Sequence, residues 1–180
     1  MVNTELFQIG QALEAYGLEN RDKFPPTYVS CMLQEHYYQL PGELIKNGYL
    51  PDQSDPFSPM SCKYEDRFSL GHTYKYLAPG DLVLNQSQRP QRNLSRIWVP
   101  NGFPELETRE GEFYCNPVGC PVSWAIFSVG PNFNKDDPNV VNQRYPVPKQ
   151  TWYDTKTKKG FLTRIRIKNG EHVGTFEGKK

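Results

Sequence analysis

The first apolar residues of the chain recur at helical spacing. In TELFQIGQALEAYGLEN, Leu6, Ile9, Leu13 and Tyr16 fall at i, i+3, i+7 and i+10, which places them on one stripe of a helix. Polar residues occupy the opposite side, and Gly17 followed by two consecutive prolines predicts the end of the helix. We therefore expect an amphipathic N-terminal helix whose apolar stripe packs against the rest of the fold.

Beyond residue 70 the apolar period changes from that of a helix to that of a strand. HTYKYLAP alternates, with Tyr74, Tyr76 and Ala78 on one face. Further strands are predicted in NLSRIWVP (93–100), GEFYC (111–115) and PVSWAIFSVG (121–130).

The C-terminal region carries a strong hairpin signal. Two alternating runs flank Asn169-Gly170, a dipeptide that favours the tight turn between two antiparallel strands. This predicts a hairpin over 161–176. In its first run, one face is formed by Phe161, Thr163, Ile165 and Ile167, and the other by Leu162, Arg164, Arg166 and Lys168.

A helix followed by strands, with no β-α-β alternation, predicts an α+β fold. The N-terminal helix would pack on an antiparallel β-sheet, with long loop insertions. PGELIKNGYL predicts a short helix that begins at Pro41 and ends at Gly48. We expect a single domain over 1–180, made of a helix within 1–24, a loop and short-helix region over 25–70, and a sheet region over 71–180 that ends in the hairpin.

Composition and charge exclude several classes of protein. With 37% hydrophobic and 13% aromatic residues, a chain of 180 residues can bury a core, and it has no apolar run long enough to cross a membrane. The 21 basic and 20 acidic side chains leave a net charge of +1, so no basic field attracts nucleic acid.

The four cysteines allow two disulfides. Cys115 and Cys120 flank the turn NPVG, which can bring their Cα atoms into bridging range. Cys31 and Cys62 would form the remaining pair. Four free thiols are the alternative, and zinc is disfavoured because the chain has no C-x-x-C.

No common catalytic motif occurs in the chain. It contains no G-x-S-x-G, no H-E-x-x-H and no phosphate-binding G-x-x-x-x-G-K-[ST], so no particular catalytic chemistry is indicated. A hydrolase that uses an acidic pair such as Asp136 and Asp137 stays open as a rival.

The aromatic residues allow two interpretations. Such side chains usually fill a core or a protein interface, but they can also line a sugar-binding groove. The second interpretation supports an alternative function, a cell-surface carbohydrate- or peptide-binding module. The residues concerned are Tyr37, Tyr38, Tyr74, Tyr76, Trp98, Trp124 and Trp152.

Five phrases, taken in order, resemble one family. They are QALEAYGLENRDKFPP, LIKNGYLPDQSDPF, HTYKYLAPG, WAIFSVGPN and TWYDTKTKKG. The pattern is similar to that of the major pseudopilins of type II secretion and their prepilin-like relatives, in which a helix-exit phrase precedes a DPF or DPW phrase, a Y-x-Y strand and an S-x-G turn. The matching residues are Ala12, Leu13, Tyr16, Asn20 and Pro25, then Asp55, Pro56 and Phe57, then Ser128, Gly130, Pro131 and Asn132.

This resemblance implies a pilin-like fold and a structural subunit, not an enzyme, in a short helical fibre that supports protein export. In the family, a leader is removed from an apolar N-terminal helix, which anchors the subunit in the inner membrane and later forms the fibre core. This chain would then begin midway along that helix and form the domain in the periplasm or cell exterior. Expected partners are other pseudopilin subunits, the inner-membrane assembly platform and the secretion machinery.

The resemblance also implies a calcium site after the S-x-G turn. The loop within WAIFSVGPNFNKDDPN offers amide and carboxylate oxygens, and calcium takes about six to eight oxygen ligands. A solvated turn capped by Asn and Asp is the alternative. The chain departs from its relatives in TKTKKG, where lysines replace polar or acidic groups. The candidate ligands are Asn132, Asn134, Asp136, Asp137 and Asp154.

Overall fold

The computed structural model describes residues 1–29, 37–52, 64–84 and 89–177. Within these residues the helices are α1 (Val2–Glu19), α2 (Glu43–Lys46) and α3 (Pro138–Val141). The strands are β1 (Thr27–Val29), β2 (Tyr38–Gln39), β3 (Lys75–Leu77), β4 (Gly80–Leu84), β5 (Gln91–Ser95), β6 (Ile97–Pro100), β7 (Gly111–Tyr114), β8 (Val122–Ser128), β9 (Leu162–Ile167) and β10 (His172–Gly174).

Helix α1 confirms the predicted amphipathic helix. Leu6, Ile9 and Leu13 are at most 1% exposed, and the half-buried Tyr16 packs against the same apolar cluster. The helix ends at Glu19 and is capped by Asn20, whose side-chain amide donates to the Tyr16 carbonyl at 2.8 Å. Within the described residues, no helix is long and apolar enough to cross a membrane.

The strands form three sheets rather than one. The sheet that carries α1 has the order β10-β9-β8-β3, and all its pairs are antiparallel. A second sheet has the order β2-β1-β4-β5, and β6 pairs with β7 separately. The predicted packing of α1 on an antiparallel sheet agrees with the structure, but the sheet region is not one antiparallel sheet, because β1 and β4 of the second sheet run parallel. The long crossover between these two strands, through α2 and β3, allows them to run in the same direction.

The sheet β10-β9-β8-β3 buries a hydrophobic cluster on each face. Toward α1 lie Tyr74, Tyr76 and Ala78 of the β3 segment, as predicted. The opposite face packs against residues of β1, β2 and β6. This alternation explains why successive strand residues are all buried: Trp124, Ile126 and Leu162 face α1, whereas Leu77, Ala125, Phe127, Ile165 and Ile167 face the second cluster.

Several further predictions agree with the structure. The C-terminal hairpin forms from β9 and β10, and Gly170 in its turn has φ of 91°. The short helix α2 ends before Gly48, which has φ of 79°. The predicted strand 93–100 is divided at Arg96 between β5 and β6.

Of the two alternatives for Cys115 and Cys120, the structure has free thiols rather than a bridge. Cys120 is 1% exposed, and burial raises the pKa of its thiol to about 11. It therefore stays protonated and packs as a small apolar group. Cys31 and Cys62 lie outside the described residues, as does the DPF phrase of residues 55–57.

Candidate functional site

The apolar stripe of α1 packs on the domain's own sheet, as predicted. Its partners include the fully buried Trp124 and Ile126 of β8. Gly10 permits this close approach, because a Cβ atom there would lie 2.8 Å from Arg164 Nε. The solvent side of the helix instead exposes Phe7 (49%) and Leu18 (82%).

A polar cluster ties the middle of α1 to the hairpin. Arg166 of β9 places Nε 2.9 and 3.1 Å from the two carboxylate oxygens of Glu14, and His172 of β10 places Nε2 at 3.2 Å from the same carboxylate. Burial lowers the pKa of His172, and the positive charge of Arg164 lowers it further, against the opposing pull of Glu14. The imidazole is therefore largely neutral at pH 7.

A second tie joins the first turns of α1 to the loop before β3. Arg67 donates to Glu5 at 2.6 Å, and the Tyr74 hydroxyl donates to the same carboxylate. Burial raises the pKa of Glu5, but the hydrogen bonds from Arg67 and Tyr74 outweigh it and hold the pKa below its usual value. The helix is thus held on the sheet by charge-assisted hydrogen bonds at two separate turns.

A buried carboxylate, not found by sequence reasoning, fixes the S-x-G turn. Asp66 is fully buried and accepts hydrogen bonds from the Ser128 hydroxyl at 2.6 Å, from the Val129 amide at 3.0 Å and from the Phe68 amide at 3.1 Å. Its partners in β8 lie 62 and 63 residues along the chain, so no local sequence pattern reveals them. This contact locks the loop before β3 to the end of β8.

The loop after β8 forms one wall of a polar cavity of about 310 Å³. Four of the five predicted calcium ligands line it: Asn132, Asn134, Asp137 and Asp154. Asp136 lines a neighbouring surface depression, so the acidic pair of residues 136 and 137 does not converge on one cavity.

Several side-chain oxygens that line this cavity already accept hydrogen bonds from backbone amides. Asn134, Asp137 and Asp154 each accept, through Oδ1, from the amide two residues ahead, at 3.1, 2.8 and 2.9 Å respectively. Asn132 donates its Nδ2 to the Lys158 carbonyl at 3.2 Å. Each carboxylate keeps a second oxygen that could contact a cation. The described residues contain no group of three His, Cys, Asp or Glu side chains able to hold a metal ion, so calcium would depend on amide and carbonyl oxygens.

The aromatic residues mostly fill the core. Phe133, Trp152 and Phe161 line the polar cavity, and the Trp152 indole donates to the Pro146 carbonyl at 2.8 Å. Tyr37 is half-buried at the edge of the second cluster. The buried members of the predicted aromatic set are Tyr38, Tyr74, Tyr76, Trp98 and Trp124.

Comparison with protein-family models, curated proteins and solved structures finds no match to this chain. The structure itself is of the mixed helix-and-sheet class, with α1 packed on an antiparallel sheet and two further sheets beside it.

Proposed function

We propose that this domain is the exposed part of a structural subunit in a type II secretion-like pseudopilus. The observation that carries the proposal is the placement of α1. Its apolar stripe is buried on the antiparallel sheet, while its other side leaves Phe7 and Leu18 exposed for contact with neighbouring subunits. The work of such a subunit is mechanical and needs no catalytic group.

The ion pairs and apolar contacts that join α1 to the rest of the domain suit a subunit that transmits force. The Glu5–Arg67 and Glu14–Arg166 pairs hold the helix at two turns, and the buried stripe joins them. A load applied along the helix therefore reaches the sheet through several contacts at once. In this proposal the domain lies in the periplasm or outside the cell, and its partners are like subunits, the inner-membrane assembly platform and the secretion machinery.

Calcium is proposed as a structural ion of the polar cavity. Asp137 and Asp154 supply two charges, while Asn132 and backbone carbonyls supply neutral oxygens. So few charges predict affinity in the range of extracellular calcium modules, with Kd of about 10⁻⁴ to 10⁻³ M. The ion would hold the loop after β8 against the segment before β9.

Deletion of the gene tests the proposed function. We expect the deletion to abolish release of a subset of exported proteins into the medium, with the same proteins retained in the periplasm, and the intact gene to restore release. Normal release under conditions in which the gene is expressed would refute the proposal.

A carbohydrate-binding module is a second candidate, and the polar cavity favours it. Aromatic side chains beside amides and carboxylates can stack on a sugar ring and bind its hydroxyls, and Phe133, Trp152 and Asn134 are so placed. A glycan array with the purified domain distinguishes the two functions. Saturable binding that is lost in Trp152→Ala supports the module.

A further inference from the structure

Three asparagines of the chain are followed directly by glycine. They are Asn47, Asn101 and Asn169, and each is exposed in a turn. Glycine has no side chain to block the approach to its amide nitrogen, so this nitrogen can reach the side-chain carbon Cγ of the preceding asparagine. Because the three pairs share this local chemistry, differences in their reactivity come from the fold.

The reaction of such a pair requires no partner other than water. The glycine nitrogen loses its proton and bonds to Cγ of the asparagine, while the bond from Cγ to Nδ2 breaks and ammonia leaves with that proton. Water then opens the succinimide ring that remains. Its attack at Cγ gives aspartate, whereas its attack at the main-chain carbonyl carbon gives isoaspartate, in which the backbone runs through Cβ and Cγ.

Backbone hydrogen bonds protect the glycine nitrogen in two of the three pairs. The Gly48 amide donates to the Ile45 carbonyl at 3.1 Å, and the Gly170 amide donates to the Ile167 carbonyl at 3.0 Å. An amide proton held in this way must leave its hydrogen bond before a base can remove it. The attack on Cγ is therefore slowed at Asn47 and Asn169.

The side chain of Asn169 is restrained as well. Its Oδ1 accepts from the Glu171 amide at 2.9 Å, and its Nδ2 donates to the Glu171 carboxylate at 2.8 Å. The nitrogen Nδ2 must give up the second contact before it can leave as ammonia. Asn169 is therefore protected at both the attacking and the leaving nitrogen.

Asn101 lacks both kinds of protection. Within the described part of the chain, neither the Gly102 amide nor the Asn101 side chain forms a hydrogen bond, and both residues are exposed. The Asn101 carbonyl accepts from the Thr108 amide at 3.2 Å and therefore faces the loop between β6 and β7. In a trans peptide the N–H points opposite to the carbonyl, so the Gly102 amide faces away from this loop, toward solvent.

We propose that Asn101 is a site of spontaneous deamidation in the folded domain. Each conversion adds one carboxylate at the start of the loop between β6 and β7. Isoaspartate also lengthens the main chain by one carbon, which displaces the Asn101 carbonyl from the Thr108 amide. This loop is therefore held less firmly in old molecules than in newly made ones.

Peptide mass spectrometry of the full chain after storage at neutral pH tests this site. Conversion is measured separately at each Asn-Gly pair, in the folded domain and in guanidinium chloride. In the folded domain, Asn101 should convert at least about fivefold faster than Asn47 or Asn169, because a single hydrogen bond shifts an equilibrium by about that factor. In guanidinium chloride, where the fold is absent, the three rates should be similar. Asn101→Gln should leave the rates at the other two pairs unchanged, and Asn47→Gln is the matched control that should leave conversion of Asn101 unchanged.

Equal rates at the three pairs of the folded domain would overturn the proposal, as would faster conversion at Asn47 or Asn169 or no conversion at Asn101. The same order of rates in guanidinium chloride as in buffer would also overturn it, because the order would then come from the local sequence and not from the fold. Converted chains should exchange amide hydrogens faster within residues 101–110 than unconverted chains, and equal exchange would overturn the effect on the loop.

Discussion

Truncating one leucine under α1 measures how firmly the helix is docked. Leu13 is 0% exposed and belongs to the cluster that joins α1 to β8. Leu13→Ala removes buried apolar volume and leaves a cavity, which together cost about 3 kcal/mol in the free energy of unfolding. For a domain of this size, that loss should lower the Tm by about 6–12 °C.

Leu18→Ala on the same helix is the matched control. Leu18 is 82% exposed, so the same chemical change should alter the free energy of unfolding by no more than about 0.5 kcal/mol. Urea denaturation followed by circular dichroism measures the free energy of unfolding of the native domain and of the two variants. The comparison requires that the three proteins have equal m-values. Equal costs for the two variants would refute the packing of α1 on the sheet.

Three further outcomes follow from the site. Asp66→Ala leaves buried donors such as the Val129 amide unpaired and should cost about 2–4 kcal/mol in urea denaturation; a cost below that of exposed Asp81→Ala would contradict this role. Calcium at about 10 mM should raise the Tm by about 3–11 °C, and Asp137→Asn, which keeps the capping oxygen, should reduce the rise; no shift in the native domain removes the calcium proposal. Burial lowers the pKa of His172 in the folded state, so as the pH falls the imidazole becomes protonated in the unfolded state before it does in the folded state. The contribution of His172 to the free energy of unfolding is therefore complete above a pH of about 6.5 and declines below it. Urea midpoints at pH 7.5 and 5.5 should differ less in His172→Gln than in the native chain, and an unchanged difference contradicts the assignment.

Local periodicity predicted the elements that pack against α1. The stripe of Leu6, Ile9 and Leu13, the alternation of Tyr74 and Tyr76, and the hairpin turn at 169–170 each need only neighbouring residues to form. The pairing of β1 with β4 could not be predicted in this way. It depends on a crossover of fifty residues, from residue 30 to residue 79, and both strands are short.

The candidate site likewise combines features that the local sequence could predict with contacts between distant residues that it could not. The loop after β8 could be identified as a cluster of oxygens because its residues are consecutive, and the fold adds Asp154 to the same cavity. The hydrogen bonds of Asp66 and Glu14 could not be predicted from the sequence, because their partners lie on distant strands. Spacing could not decide between a Cys115–Cys120 bridge and free thiols, because it describes only the reach of the turn between them; the structure has both as free thiols.

The reading frame upstream of codon 1 gives the most direct measurement of the central claim, that α1 is the exposed end of a membrane-anchored fibre helix. Sequencing that DNA should reveal a short basic leader and then about twenty apolar residues running in frame into α1. A frame that instead encodes a polar segment or another folded domain contradicts the claim.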